Sequence, residues 1–166
     1  MERARFLGSE GSFEPSCEVN RNMLKSGLLP AIFVNEYKSG FDGGFKMTIT
    51  KIEKNGILCA IVDSDEPLIT DAQSALDVLM TAKYDAGTKN IVISKELIVE
   101  DFFILSTGLA GEILQKYINY GGRIAIYGGY SHYTSKPLHD FIYESNKGKD
   151  VFFVGTQEEA IDRLTQ

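Results

Sequence analysis

The stretch MTITKIEKNGILCAIV, residues 47–62, predicts a β-hairpin. Residues 47–53 carry isoleucines and threonines, which favour strands, and residues 57–62 form an unbroken apolar run typical of a buried strand. Asn55-Gly56 lies between them, and this pair is a strong signal for a tight hairpin turn because both turn positions need a positive φ. The hairpin therefore marks the beginning of a predicted domain.

Toward the C terminus, apolar strand-like runs alternate with segments of helical periodicity. Asp71 is the predicted cap of the first helix and Gly87 its predicted stop. Lys95 to Phe103 is ambiguous between a loop and a short helical turn. The other predicted elements are a helix to about Tyr84, strands at Asn90–Ile93, Arg123–Tyr127 and Val151–Val154, and helices from Ser106 or Thr107 to Tyr120, from about Ser135 to Asn146 and from Thr156 to Leu164. This order, ββαβαβαβα, indicates an α/β domain with a largely parallel sheet.

Residues 1–46 show neither helical nor strand periodicity. We expect them to be a disordered or spurious extension of a domain that spans residues 47–166. Their basic and acidic residues cancel, so the net charge of −6 comes from residues 47–166. A purine-rich ribosome-binding site that is translated in frame would give a Gly-Gly pair shortly before the true start codon, and Gly43-Gly44 stand in this position relative to Met47. We therefore expect natural translation to start at Met47, which intact-mass measurement of the native protein tests.

The composition excludes several classes of protein. An apolar share of 43% and a charged share of 24% are typical of a soluble globular domain. The net charge of −6 disfavours a broad electrostatic grip on nucleic acid or on an anionic membrane. The run Leu28 to Val34 is interrupted by Pro30 and is far shorter than the ~20 apolar residues that span a bilayer. Two cysteines without metal-ligand spacing predict neither a disulfide framework nor a zinc site, and we expect Cys59 to be an inert core residue.

Residues 102–110, FFILSTGLA, resemble the F-I-D-S-S-G-L-G signature of STAS domains, the fold of bacterial anti-sigma-factor antagonists and of the cytoplasmic tails of sulfate transporters. In the antagonists a partner kinase phosphorylates the second serine of that signature, which matches Thr107. Leu105 departs from the signature, because an aspartate stands there in the family. The resemblance implies a STAS-like fold and a switch at Thr107.

A second resemblance covers nearly all of residues 47–166. The runs STGLAGEILQ at 106–115 and LHDFIYESNKG at 138–148 are similar to the bacterial domain-of-unknown-function family 4180. This resemblance implies a small cytoplasmic bacterial protein and carries no activity with it.

The first candidate site is the predicted start of the second helix. The hydroxyls of Ser106 and Thr107 can cap free amides there, and the helix dipole favours an added phosphate. Gly108 and Gly111 weaken the helix and permit close packing or the close approach of a ligand or partner. An ordinary helix cap explains the same residues.

The second candidate site is the loop from Gly128 to Lys136. It follows a predicted parallel strand, and ligands of open α/β sheets bind at the carboxyl ends of strands. The amides of Gly128 and Gly129, the Ser131 hydroxyl and the Lys136 ammonium are suited to a small anion. A tyrosine-rich structural turn is the better explanation of the same loop.

No catalytic constellation stands out. His132 and His139 can be combined with Ser106 or Ser135 in a draft hydrolase, but there is no G-x-S-x-G nucleophile elbow. Acidic clusters in the loops are interpreted as solvated charges rather than a metal site. Glu144 and Asn146 lie at the predicted end of a helix, where an acid is unfavourable to the helix dipole, and this local cost hints at a polar contact elsewhere.

These observations favour a non-enzymatic cytoplasmic module for regulation or protein interaction, of STAS type, with Ser106–Gly111 as its contact surface and no cofactor. We expect a protein partner, no nucleic acid and no membrane, and the sequence leaves a homo-oligomer open. The alternative is a small-ligand-binding protein or uncharacterised enzyme that uses the Gly128–Lys136 loop.

Overall fold

A computed structural model describes residues 33–40 and 46–166 of the chain. The strands are β1 (Phe33–Gly40), β2 (Lys46–Lys54), β3 (Ile57–Ser64), β4 (Asn90–Ser94), β5 (Arg123–Tyr127) and β6 (Val151–Val154). The helices are α1 (Ala72–Asp85), α2 (Leu109–Asn119), α3 (Lys136–Lys147) and α4 (Gln157–Leu164). From residue 46 onward the order is ββαβαβαβα, so the predicted α/β class and alternation are confirmed.

The six strands form one sheet in sequential order. β1, β2 and β3 are antiparallel neighbours, whereas β3 to β6 are parallel. Lys54 pairs with Ile57 across the predicted hairpin turn, and Asn55 and Gly56 have φ values of 55° and 76°. Positive φ at both positions is the geometry for which the Asn-Gly pair was predicted.

β1 corrects one expectation about the N-terminal residues. It pairs with β2 from Phe33↔Glu53 to Gly40↔Lys46, although the sequence predicted no regular structure before residue 47. Its backbone is organised by the neighbouring strand, a contact that periodicity within residues 33–40 does not reveal. The rest of the predicted extension, residues 1–32 and 41–45, lies outside the described residues. The expected translation start at Met47 stays a prediction.

The parallel strands β3 to β6 bury both of their faces, so helices cover the sheet on both sides. Ala60, Ile91, Ile124 and Phe153 face the layer formed by α1, α2 and α3. The intervening residues point the opposite way and pack against Ala160, Ile161 and Leu164 of α4; they are Cys59, Ile61, Val92, Ala125 and Phe152. Alternate side chains leave opposite faces of a strand, which explains the continuous apolar runs of the sequence.

The predicted helix ends are largely confirmed. Asp71 caps α1 by accepting the amides of Gln73 and Ser74, each at 2.8 Å. Gly87 follows α1 with φ 70°. Residues 156–159, TQEE, have the spacing of a capping box, which predicts Thr156 as the cap of α4 and a bond from the Thr156 amide to the Glu159 carboxylate. Thr156 does cap α4, but the Glu159 carboxylate accepts the amide of Gly155 instead.

The ambiguous segment after β4 forms three single 3₁₀ turns, Lys95–Leu97, Glu100–Phe103 and Leu105–Thr107. Phe102 and Phe103 are buried beneath them. Burial of its apolar side chains in the core holds this segment in place, since its sequence has no regular helical or strand periodicity.

Candidate functional site

Both candidate segments lie where the parallel strands end, at a surface that we call the carboxyl edge: the loops between the ends of β3 to β6 and the following helices. β4 leads through the three 3₁₀ turns into α2, and β5 leads through residues 128–135 into α3. The ring of Phe103 lies 6.2 Å from that of Tyr130 and 5.5 Å from that of Tyr133, between centroids. Aromatic contacts therefore join the 3₁₀ turns that precede Ser106 to the Gly128–Lys136 loop.

Thr107 is not the helix cap that the sequence predicted. α2 begins at Leu109, and its cap is Gly108, whose φ of 77° would strain any other residue. Ser106 and Thr107 belong to the preceding 3₁₀ turn, and both are exposed. The predicted helix start was therefore two or three residues early, because the left-handed turn at Gly108 reverses the chain first.

The Thr107 hydroxyl connects three backbone groups. It donates to the carbonyl oxygens of Asp101 at 2.8 Å and Ile104 at 2.9 Å, and it accepts the amide of Leu109 at 3.2 Å. These contacts fasten two 3₁₀ turns to the first residue of α2. A phosphate on this oxygen would remove the proton that both carbonyls share and so release the turns.

Gly111 is exposed in the first turn of α2, and neither its backbone conformation nor the space around it requires a glycine. Its φ is not positive, and a Cβ built there would meet nothing within 4 Å. Glycine inside a helix costs about 1 kcal/mol relative to alanine. The absent side chain therefore leaves the α2 backbone open to close approach from outside.

Gly128 has a structural reason to be glycine. Its φ is 153°, and a Cβ would stand 2.9 Å from the Cβ of Lys95. Its amide donates to Val154 at 3.0 Å, so it is not free for an anion, and this part of the predicted cradle is wrong. Gly129, Ser131 and Lys136 are exposed, and Gly129, like Gly111, has no neighbour within 4 Å of a built Cβ.

Two tyrosines that the sequence analysis treated only as loop composition hold this loop in place. The Tyr130 hydroxyl donates to Ile126 at 2.9 Å, and its ring meets Phe153 edge-on at 5.9 Å. The Lys95 ammonium lies 5.0 Å from the Tyr133 ring centroid, a cation–π contact. Burial of the phenol raises the pKa of Tyr133, and the nearby Glu100 carboxylate raises it further. Alternating aromatics after a strand could have signalled this anchoring.

The histidines do not meet a serine nucleophile. His139 Nε2 lies 2.7 Å from the carbonyl oxygen of Tyr133, and the His132 ring stacks near Tyr133 at 4.0 Å between centroids. Within residues 33–40 and 46–166, no group of three or more histidine, cysteine or acidic side chains is placed to hold a metal ion. None of the described helices combines the length and apolar character needed to cross a bilayer.

The comparisons with known proteins give one match. Neither the curated proteins nor the solved structures contain a significant match to the chain. A family model does match, over residues 54–164, from the hairpin turn to the end of α4. The matched region contains both candidate segments and most of the chain, which therefore belongs to the family described as Domain of unknown function (DUF4180).

Proposed function

We propose that this protein is a non-enzymatic, cytoplasmic regulatory module of STAS type that binds a protein partner through Ser106–Gly111. The observation that carries the proposal is Gly111, an exposed helix glycine that nothing in the described chain requires. A partner backbone or side chain lying against α2 supplies the missing reason. Exposed Ile104, at 47% accessibility, adds an apolar contact next to this surface.

The switch in this proposal is the Thr107 hydroxyl. Its three backbone contacts hold the shape of the surface, and a dianion on the same oxygen would break the two donated bonds. The matching position of the STAS signature supports the assignment by analogy only. In mechanism, modification alters the partner surface by releasing the turns that precede α2.

The test is partner retention by the full chain in lysate of its own host, with mass spectrometry as the readout. Thr107→Ser keeps the hydroxyl and is the matched control, so it should retain the same partner. Thr107→Glu lacks the donor and should lose the partner while α2 and the sheet remain folded by circular dichroism. Full retention by Thr107→Glu would show that the switch is wrong.

Gly111→Ala tests the contact surface separately. Alanine should raise the unfolding temperature, because it replaces a helix glycine where space is open. The same substitution should weaken partner retention if the partner approaches the α2 backbone closely. A more stable variant that binds as well as the wild type would contradict the proposed contact.

The second candidate function is the binding of a small anion at the Gly128–Lys136 loop. The exposed, unhindered Gly129 beside the exposed Ser131 and Lys136 supports it. Inorganic phosphate should then raise the unfolding temperature of the wild type, and Lys136→Gln should abolish the increase. Lys149→Gln, on the opposite edge of the sheet, is the control that should keep it.

A further inference from the structure

Charge is sorted along the axis of the parallel strands. Each helix follows a parallel strand or the hairpin, so all four helices begin at the carboxyl edge and end at the opposite one, which we call the amino edge. Lys83, Lys116, Lys147 and Arg163 lie in the last turns of the four helices. Lys89, Arg123 and Lys149 lie at or just before the starts of the parallel strands, and Lys54 is at the hairpin turn. The amino edge thus holds eight of the eleven basic residues of 47–166. It also holds five acids, Glu53, Asp85, Glu144, Asp150 and Asp162, so its net charge is +3 (8 − 5). Glu144 pairs with Lys147 and Asp162 with Lys54, which leaves the other cations of this edge as its excess charge.

The carboxyl edge carries the opposite charge. Asp63, Asp65, Glu66 and Asp71 lie between the end of β3 and α1. Glu96, Glu100, Asp101 and Glu112 lie between the end of β4 and the first turn of α2, and Glu158 and Glu159 are in the first turn of α4. Lys95 and Lys136 are the basic residues of 47–166 at this edge. Acids at helix starts and bases at helix ends both complement the helix dipoles.

The amino edge also exposes large apolar side chains at the ends of two neighbouring helices. Tyr84 in the last turn of α1 is 91% exposed. Ile118 in the last turn of α2 and Tyr120, which follows it, are 49% and 47% exposed. Lys89 fastens this corner by donating to the carbonyl oxygen of Tyr120 at 2.7 Å. Exposed apolar side chains at an edge with an excess of positive charge suit a partner surface that is both apolar and acidic.

We propose that the amino edge docks on the carboxyl edge of a second copy of this chain, in a head-to-tail contact. Exposed Ile104 among Glu100 and Asp101 offers the acidic and apolar surface that Tyr84, Ile118 and the lysines require. A symmetric dimer through the amino edge would bring like charges together, which opposes it. The inference rests on the proposed function, because it names another copy as one partner of the same carboxyl edge.

Sedimentation of the full chain tests the contact. A head-to-tail contact leaves one free edge on each end of a pair, so it builds rings or open chains, and the average mass should rise with concentration beyond that of a dimer. The rise should be strong at an ionic strength of about 0.01 M, where charges interact over ~30 Å, and weak at about 1 M, where the range is ~3 Å. Tyr84→Ser should weaken the association at least about tenfold, whereas the control Tyr84→Phe, which keeps the exposed ring, should leave it nearly unchanged.

Charge-reversal variants test the head-to-tail contact most directly. Lys83→Glu with Lys116→Glu should abolish self-association, and so should Glu96→Lys with Glu112→Lys. A mixture of the two variants should associate again, because each reversed edge then faces its complement. Rescue by mixing also shows that neither variant failed to fold.

Three results would overturn the inference. The first is a protein that stays monomeric at every concentration even at low ionic strength. The second is an average mass that does not exceed that of a dimer and is unchanged in the charge-reversal variants. The third is binding of a single-stranded oligonucleotide that depends on Lys83 and Tyr84, with no self-association. Loss of self-association alone leaves the proposed function intact if Thr107→Glu still releases a host partner. Retention of every host partner by Thr107→Glu, with self-association intact, would instead contradict the switch.

Discussion

At the scale of single residues, the Tyr117 hydroxyl lowers the stability of the folded protein. Its side chain is fully buried in α2, and its hydroxyl has no hydrogen-bond partner among the described residues. A buried polar group without a partner costs about 1–3 kcal/mol. Tyr130 differs, because its hydroxyl donates to Ile126.

Tyr117→Phe should therefore stabilise the protein by about 1–3 kcal/mol, since the ring stays and only the unpaired hydroxyl is removed. Tyr130→Phe is the matched control and should destabilise it by about 1 kcal/mol through loss of a made bond. Urea unfolding measures both values. A destabilised Tyr117→Phe variant would reveal a partner for that hydroxyl.

Cys59 was predicted to be an inert core residue, and the structure confirms its complete burial in β3. Burial raises the pKa of its thiol to about 11, with Arg123 acting weakly in the opposite direction. The reactive thiolate is therefore scarce at neutral pH. In a Cys17→Ser variant, Cys59 should resist iodoacetamide at neutral pH until denaturant is added, as mass spectrometry would show. Rapid labelling of the folded variant would contradict the assigned burial.

At the scale of elements, the contact between α3 and β6 explains the polar end of α3. The Asn146 amide donates to the carbonyl oxygen of Phe153 at 2.9 Å and accepts its amide at 2.7 Å. β6 has a strand neighbour on one side only, in the described sheet. Asn146 thus completes the backbone pairing of an edge strand at a buried residue, and this is the polar contact at which the sequence hinted.

Asn146→Ala should destabilise the protein by about 1–3 kcal/mol, because the buried amide and carbonyl of Phe153 lose their partner. Asn119→Ala, whose exposed side chain bonds only Gln115, should cost far less. Chemical denaturation compares the two variants. Equal effects would mean that the Asn146 contact contributes nothing beyond a helix surface residue.

At the scale of the whole molecule, tyrosines couple stability to alkaline pH. Burial raises the pKa of Tyr117, of Tyr130, whose neighbour Tyr133 adds to the effect, and of Tyr133. A raised phenol pKa means that the folded state keeps its proton where the unfolded chain has lost it. Below the ordinary value of 10.0 both states are protonated, and above it only the unfolded state gains from ionising.

The free energy of unfolding should therefore be insensitive to these groups up to about pH 9 and should fall above about pH 10. Denaturation at a series of pH values measures the slope. Tyr117→Phe should fall less steeply, because one of the coupled phenols is gone. An identical slope in that variant would exclude Tyr117 as a contributor.

Much of the fold is predictable from local signals, and the site is less so. The hairpin at Asn55-Gly56 and the caps at Asp71 and Thr156 depend on backbone geometry within a few residues, which sequence spacing expresses. Thr107 lies near the start of α2, where the sequence predicted a helix to begin, but the contacts of its hydroxyl depend on Asp101, six residues earlier in an irregular turn. Gly129 and Gly128 look alike in sequence, and the tertiary structure distinguishes them through the positive φ of Gly128, its bond to Val154 and the nearby Lys95 side chain.

The sequence by itself determined the α/β alternation, the parallel sheet and the family of this protein, because the periods of strand and helix and the runs at 106–115 and 138–148 are written in consecutive residues. The tertiary structure decided the strand at residues 33–40, the placement of α4 on the opposite face of the sheet, and the contact of Phe103 with the tyrosines of the Gly128–Lys136 loop. Each of these depends on contacts between separate elements. Such contacts form only where packing brings the chain together, and no local period records them.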